Sequence, residues 1–207
     1  MRAILTKPLI MNIALIVVTS LVSLGLFSQY KTNKMVSDTE TPKYETIKIF
    51  GKFEIRKYPK MILATTKLNT GSYSNNSSKG FRNVANYIFG GNDKNMQISM
   101  TSPVMSSIED NMSMSFIMPS EYKLSELPIP NNDNVEIKIQ PERTMAIISF
   151  SGFANDNDIK YYTKILKEQL IKEGLSANGK VYFQGYDSPF KLYNRTNEIA
   201  IELINYE

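Results

Sequence analysis

The run Phe53-Glu54-Ile55-Arg56-Lys57-Tyr58-Pro59-Lys60 has a counterpart in Val135-Glu136-Ile137-Lys138-Ile139-Gln140-Pro141-Glu142, and this echo constrains the fold more than any other feature. In both runs apolar and polar residues alternate up to a proline, which lacks a ladder N–H and so closes a strand or sits at an edge. A second β-rich run follows each, Met61–Leu68 and Met145–Phe150. A helix comes next. Phe81, Val84, Ala85, Ile88 and Phe89 share one helical face, with Ser77 or Ser78 able to cap its start and Gly90-Gly91 to end it. Gly71–Gly80 before it reads as a flexible loop, without phosphate-loop spacing. In the second copy Tyr162, Ile165, Leu166, Gln169 and Leu170 take the equivalent places, in a helix that begins near Asn155–Asp158 and stops at Gly174. Ser102-Pro103 and Ser188-Pro189 then each precede an alternating strand, one carrying Met112, Met114, Phe116 and Met118 on one side, the other Ile199, Ile201 and Leu203.

The spacing therefore predicts the order β-β-α-β-β twice, over residues 44–119 and 135–204, joined by the loop Tyr122–Asn134. Two such units bury their apolar faces by pairing about a pseudo-two-fold axis. The fold class is α+β: a mainly antiparallel, curved or barrel-like sheet with two helices packed on it, in a domain of residues 42–207. A chain of 207 residues suits one well-buried domain rather than two.

Ahead of that domain, Pro8 to Tyr30 contains no charged residue, and Arg2 and Lys7 precede it while Lys31 and Lys34 follow. About twenty apolar residues suffice to cross a bilayer as a helix. Residues 1–30 are read as a signal-anchor or transmembrane segment, with a cleaved signal peptide as the alternative. Residues 31–41 form the linker. An anchor leaves the domain outside the cytoplasm, in a periplasm, lumen or extracellular space; cleavage leaves it secreted.

The chain holds no histidine and no cysteine. Disulfides, thiolate nucleophiles, Cys-ligated metals and Ser-His-Asp or Cys-His catalysis are excluded. The formal charge of +4 comes from dispersed lysines, not from a basic stripe, so no nucleic-acid partner is expected.

Phe53–Tyr58, Tyr87-Ile88-Phe89-Gly90-Gly91-Asn92, Met100-Thr101-Ser102-Pro103-Val104, Phe116-Ile117-Met118-Pro119-Ser120 and Gly185–Arg195 together resemble, in family order, the SOUL haem-binding proteins. The resemblance covers about Tyr44 to Leu203. It implies a distorted eight-stranded barrel with two helices, non-covalent b-type haem or another tetrapyrrole as ligand, and binding rather than catalysis. In one branch of the family a histidine follows the Glu-Ile-Arg of the first motif. Lys57 stands there in this sequence, so the resemblance points to the branch that binds without such a ligand, or to ligation by Met, Tyr or Lys.

Five residues are the candidate tetrapyrrole contacts: Lys57, Arg56, Tyr87, Met100 and Met105. Lys57 shares a strand face with Phe53 and Ile55; it either snorkels from the strand end or meets a propionate or the iron. Arg56 faces the other way, where its guanidinium suits a propionate or a surface pair with Glu54. Met100 and Met105 flank the Thr-Ser-Pro turn and could offer a thioether to iron, whereas Met112, Met114 and Met118 fit a core stripe. Tyr87 lies off the main apolar stripe of its helix and could edge a groove. The expected function is a membrane-tethered haem- or tetrapyrrole-binding module for binding, buffering or delivery. The alternative is a protein-interaction or apolar-ligand domain on the same scaffold with haem binding lost.

Overall fold

A computed structural model describes residues 7–37, 39–69, 71–109, 112–204 and 206; Arg2, ahead of the apolar run, lies outside them. The chain divides into two compact units, Met1–Asp38 with Ser188–Leu192, and Thr39–Asp187 with Tyr193–Glu207.

The first unit contains helix α1, Lys7–Ser37. Its stretch Asn12–Lys31 has a mean hydropathy of 1.8 and no buried residue, and by length and composition it could cross a membrane. The hydroxyls that interrupt the apolar run turn back on the helix: Thr19 donates to the Ile16 carbonyl and Ser23 to that of Thr19, both at 2.9 Å. Such bonds satisfy the hydroxyl without water. The helix also continues to Ser37, through most of the segment expected as linker.

The second unit follows in chain order as β1 (Glu45–Phe50), β2 (Phe53–Tyr58), β3 (Met61–Lys67), α2 (Tyr73–Ile88), β4 (Val104–Ser107) and β5 (Ser113–Ile117). After a long loop come β6 (Val135–Gln140), β7 (Arg143–Ser151), α3 (Asp156–Lys172), β8 (Ala177–Gly185) and β9 (Thr196–Leu203). All nine strands form one sheet, ordered β1-β2-β7-β9-β8-β4-β5-β3-β6, in which every pairing is antiparallel. This corrects the expected eight-stranded barrel. The added strand is β1, and β1 and β6 pair on one side only, so the sheet is open. Exchanging β2–β5 with β6–β9 leaves the order β2-β7-β9-β8-β4-β5-β3-β6 the same when read from its other end.

Both helices cover one face. Ala146, Ile148, Phe150, Phe183, Ile199 and Ile201 pack there with Ile159, Leu166 and Leu170 of α3. Ala64, Met114, Phe116 and Val135 pack with Val84, Ala85 and Ile88 of α2. The alternate residues point to the opposite face. Tyr58, Met61, Leu63, Met105, Ile117, Met145, Ile147 and Ala200 form a third cluster there, buried without a helix over them. Residues from β3 and β7, far apart in strand order, meet in that cluster, so the sheet curls and this is its inner face.

Helix α3 begins where its sequence signals it. Asn155 is the N-cap, its side chain accepting from the Asn157 and Asp158 amides, and Asp158 completes a capping box. Helix α2 differs from expectation at its start. Its N-cap is Ser72, not Ser77 or Ser78, so Gly71–Gly80 is mostly helix rather than loop. Ser72 accepts from the Asn75 amide and Asn76 donates back to the Ser72 carbonyl, which starts the helix without apolar periodicity. Gly80 lets the helix lie close to the sheet: a Cβ there would come 2.8 Å from Leu68 Cδ2 and 3.2 Å from Met114 Cβ. At the far end Phe89 is the C-cap and is exposed, while Gly90 turns the chain with φ +102°.

Candidate functional site

A cleft of about 600 Å³ opens at the ends of β3 and β5. Pocket volumes of roughly 300–1,000 Å³ accommodate small-molecule ligands and cofactors. Three stretches and two single residues make its walls: Glu40–Lys43, Pro59–Ile62, Ile117–Leu124 without Glu121, and Thr101 and Ile139. Its apolar floor includes Met61, Ile117 and Met118, all buried, and its outer wall the half-exposed Leu124 and Ile139. The Thr101 hydroxyl donates to the Ile117 carbonyl at 2.6 Å, fixing the turn after Met100 to β5. The Ser102 amide bonds the Glu40 carbonyl at 2.9 Å and the Ser120 amide the Glu40 carboxylate at 3.0 Å, which closes one end of the cleft.

Lys43, Lys60 and Lys123 reach the cleft, and no ion pair engages their ammonium groups among the described residues. Glu40 is the single acid in the lining. Apolar walls beside unpaired cations suit a flat apolar molecule that carries carboxylates. The same lining offers thioethers from Met61 and Met118 and the Tyr122 phenol as soft or anionic donors toward a metal. These residues fit a tetrapyrrole. A second cleft, about 590 Å³, lies along α3, but it carries Glu109, Asp156 and Glu168, and Glu109 already holds Lys167 at 2.6 Å.

None of the five residues nominated from sequence lines either of these two clefts. Arg56 is buried on the inner face rather than at the surface, within a network of acids and phenols. Its Nε donates to Glu54 at 2.7 Å, its Nη1 to Tyr58 at 3.2 Å and to Glu198 at 3.1 Å, and its guanidinium lies 4.2 Å over the Tyr44 ring. Glu198 accepts further from Tyr186 at 2.7 Å and Ser149 at 3.1 Å. Burial alone disfavours the Arg56 charge, but the Glu198 carboxylate and the Tyr58 hydroxyl outweigh it and hold the guanidinium protonated far above its ordinary range. Burial pushes the Tyr58 phenol up to about 12, and burial with the Glu198 charge pushes Tyr186 higher still.

Lys57 emerges half-exposed at the end of β2 and pairs with Glu142 at 2.8 Å. The hydrogen bond to Glu142 and its charge raise the Lys57 pKa above the ordinary lysine value, away from the neutral amine that iron ligation requires. Tyr87 lines neither of these two clefts. It is buried in the α2 core, its hydroxyl bonded to the Pro128 carbonyl at 3.0 Å, because the Leu127–Pro128 loop covers that side of the helix. Met105 belongs to the inner-face cluster, and Met100 sits half-exposed in the loop before β4.

Met61, Lys60, Tyr122, Lys123 and Ile139 line the cleft without having been singled out from sequence. Two of the runs that carried the resemblance do reach the cleft, through Thr101 and through Ile117–Ser120. That convergence was the available signal, and it was invisible without the turn that joins them.

Comparison with known proteins agrees with this architecture. Heme-binding protein 2 of Homo sapiens is 32% identical over 158 residues, covering 72% of this chain and 77% of that protein. Heme-binding protein 1 of Sus scrofa is 30% identical over 126 residues, 56% of this chain and 65% of that protein. Among solved structures, the EcmrR C-terminal domain superposes with a TM-score of 0.57 at 11% identity, over 79% of this chain and 99% of that one, a likeness of fold. A hydrolase from Listeria innocua gives 0.54 at 10% identity, over 76% and 94%. The model of the SOUL heme-binding protein family matches residues 39–202, and the chain belongs to that family.

Proposed function

We propose that this protein binds haem or a related tetrapyrrole in the cleft between the β2–β3 turn and the loop after β5. The observation that carries the assignment to this cleft is its pairing of an apolar floor with Lys43, Lys60 and Lys123, cations with no acid of their own. The apolar walls take the macrocycle and exclude water from its faces, and the ammonium groups hold the propionates. Bound haem supplies an iron centre. With no histidine in the chain, Met61, Met118 or Tyr122 is the protein's side-chain donor in reach of the cleft. The role is binding, buffering or delivery rather than catalysis. Helix α1 serves as a membrane anchor that keeps the domain on the extracytoplasmic side, a reading supported by its exposed apolar stretch. The strand order that survives exchange of the two halves supports their descent from one duplicated ββαββ unit.

Hemin added to the full chain should give a saturable Soret shift. Replacing both Lys60 and Lys123 by Glu should weaken binding about tenfold, which corresponds to about 1.4 kcal/mol. An unshifted band at micromolar protein overturns the proposal and favours the interaction-domain alternative. A shift insensitive to the lysine changes moves the ligand to another surface.

A further inference from the structure

Arg143 opens β7 and lies opposite Tyr58 of β2 in the register, on the inner face of the sheet. Only 6% of its surface is exposed. The Nη2 group is 3.8 Å from Met105 Sδ, and the guanidinium carbon is 4.7 Å from the centre of the Tyr182 ring. Its Nε and Nη1 atoms have no hydrogen-bond partner, and no carboxylate pairs with it among the described residues. On the same face, the Gln184 carbonyl oxygen is also buried and unpartnered, with Gln184 opposite Met105 in the β4–β8 register. An arginine side chain is a permanent cation, and burying it with only a sulfur and a ring for company is unfavourable. A counter-charge with oxygen acceptors removes that penalty.

The route to it is present. A cavity of about 310 Å³ is lined by Arg143 together with Ile47, Lys57, Glu142, Thr144 and Glu202. Lys57 and Glu142 neutralise one another across 2.8 Å, which leaves Arg143 and Glu202 as the remaining charged residues of the lining. A single carboxylate matches the guanidinium, whose planar donors suit it better than a point cation would. Glu202 disfavours a second negative charge. The volume lies at the small end for ligand pockets.

We propose that Arg143 is the anchor of a second site, which takes a small monocarboxylate through the cavity beside Lys57. The site stands apart from the haem cleft and does not depend on it. Acetate is the probe, added to the full chain at constant ionic strength against chloride, with thermal unfolding and the Arg143 Nε–H nuclear magnetic resonance signal as readouts. The unfolding midpoint should rise saturably with acetate and the Nε–H signal should shift with the same midpoint concentration. Arg143→Met should lose the acetate response entirely, and Arg143→Lys should retain part of it. The titration is repeated with saturating hemin, because a tetrapyrrole propionate offers the same chemistry. An unchanged acetate response identifies a separate small acid, and a response abolished by hemin overturns the separate site, because the tetrapyrrole then reaches Arg143 itself. An Nε–H signal that ignores acetate in the unmodified chain overturns the proposal, whatever the variants do.

Discussion

Two arginines lie on the inner face of this sheet, on neighbouring strands, and their surroundings could hardly differ more. Arg56 on β2 is ringed by Glu54, Glu198, Tyr58 and the face of Tyr44. Arg143 on β7 has a thioether and the face of Tyr182. The first arrangement is closed: every strong donor meets an acceptor, and the acid that receives them is itself bonded to Tyr186 and Ser149. Such a network holds three strands, β2, β7 and β9, in one register. The second arrangement is open, with two donors unpartnered and the third on a thioether. A buried charge that is fully paired belongs to the architecture, and one that is left unpaired on a cavity wall belongs to a ligand.

The largest effect is expected from breaking the closed side. Glu198→Ala leaves the buried Arg56 guanidinium with Glu54 as its remaining acid and unpairs the Tyr186 and Ser149 hydroxyls, and should cost about 3 kcal/mol of folding stability, read by urea unfolding. Arg56→Met leaves Glu54 and Glu198 together without a cation and should cost about as much, on the order of 3 kcal/mol. A change below about 1 kcal/mol in both variants would show that the network is slack and erase the distinction between the two arginines.

Alkaline pH gives the next effect. The unfolded chain releases its tyrosine protons near pH 10, whereas the folded chain keeps that of Tyr58 until about 12. Above pH 10 the unfolded state therefore binds fewer protons, and stability, intact below that point, falls as pH rises. Tyr58 alone accounts for a loss of roughly 2–3 kcal/mol once the pH has passed 12, with Tyr186 steepening the slope. Urea midpoints at pH 9 and 11 should differ less in Tyr58→Phe than in the parent chain. The smallest effect belongs to the open side: without ligand, Arg143→Met should change stability by less than about 1 kcal/mol, in either direction. A loss as large as that of Arg56→Met would mean that Arg143 is already paired.

How far these features could be read beforehand depended on how local they are. Helix α3 was legible because Asn155 and Asp158 cap it and Leu166 and Leu170 follow at helical spacing. The start of α2 was not, since Ser74 to Ser78 is a polar run with no periodicity and the helix there rests on a side-chain cap and a close approach at Gly80. The strands were visible from alternation. Their number was not, because β1 is exposed nearly throughout and carries no buried face to betray it. Arg56 looked like a surface residue because Glu198, its partner, lies 142 positions away. Tyr87 was misread because the loop at Pro128 covers it from outside its own helix. The proposed haem cleft and the Arg143 cavity share that difficulty: each is assembled from segments that meet only once the sheet has curled.

The open sheet carries a last consequence, for solubility. Strand β6 pairs with β3 alone, so one row of its backbone donors and acceptors faces outward, ready to accept another extended chain. Glu136 and Lys138 place charges along it and Pro141 ends it at once, devices that discourage end-to-end growth of sheets. Replacing those charges by valine would turn a quiet border into a seed for aggregation, with no change to the interior.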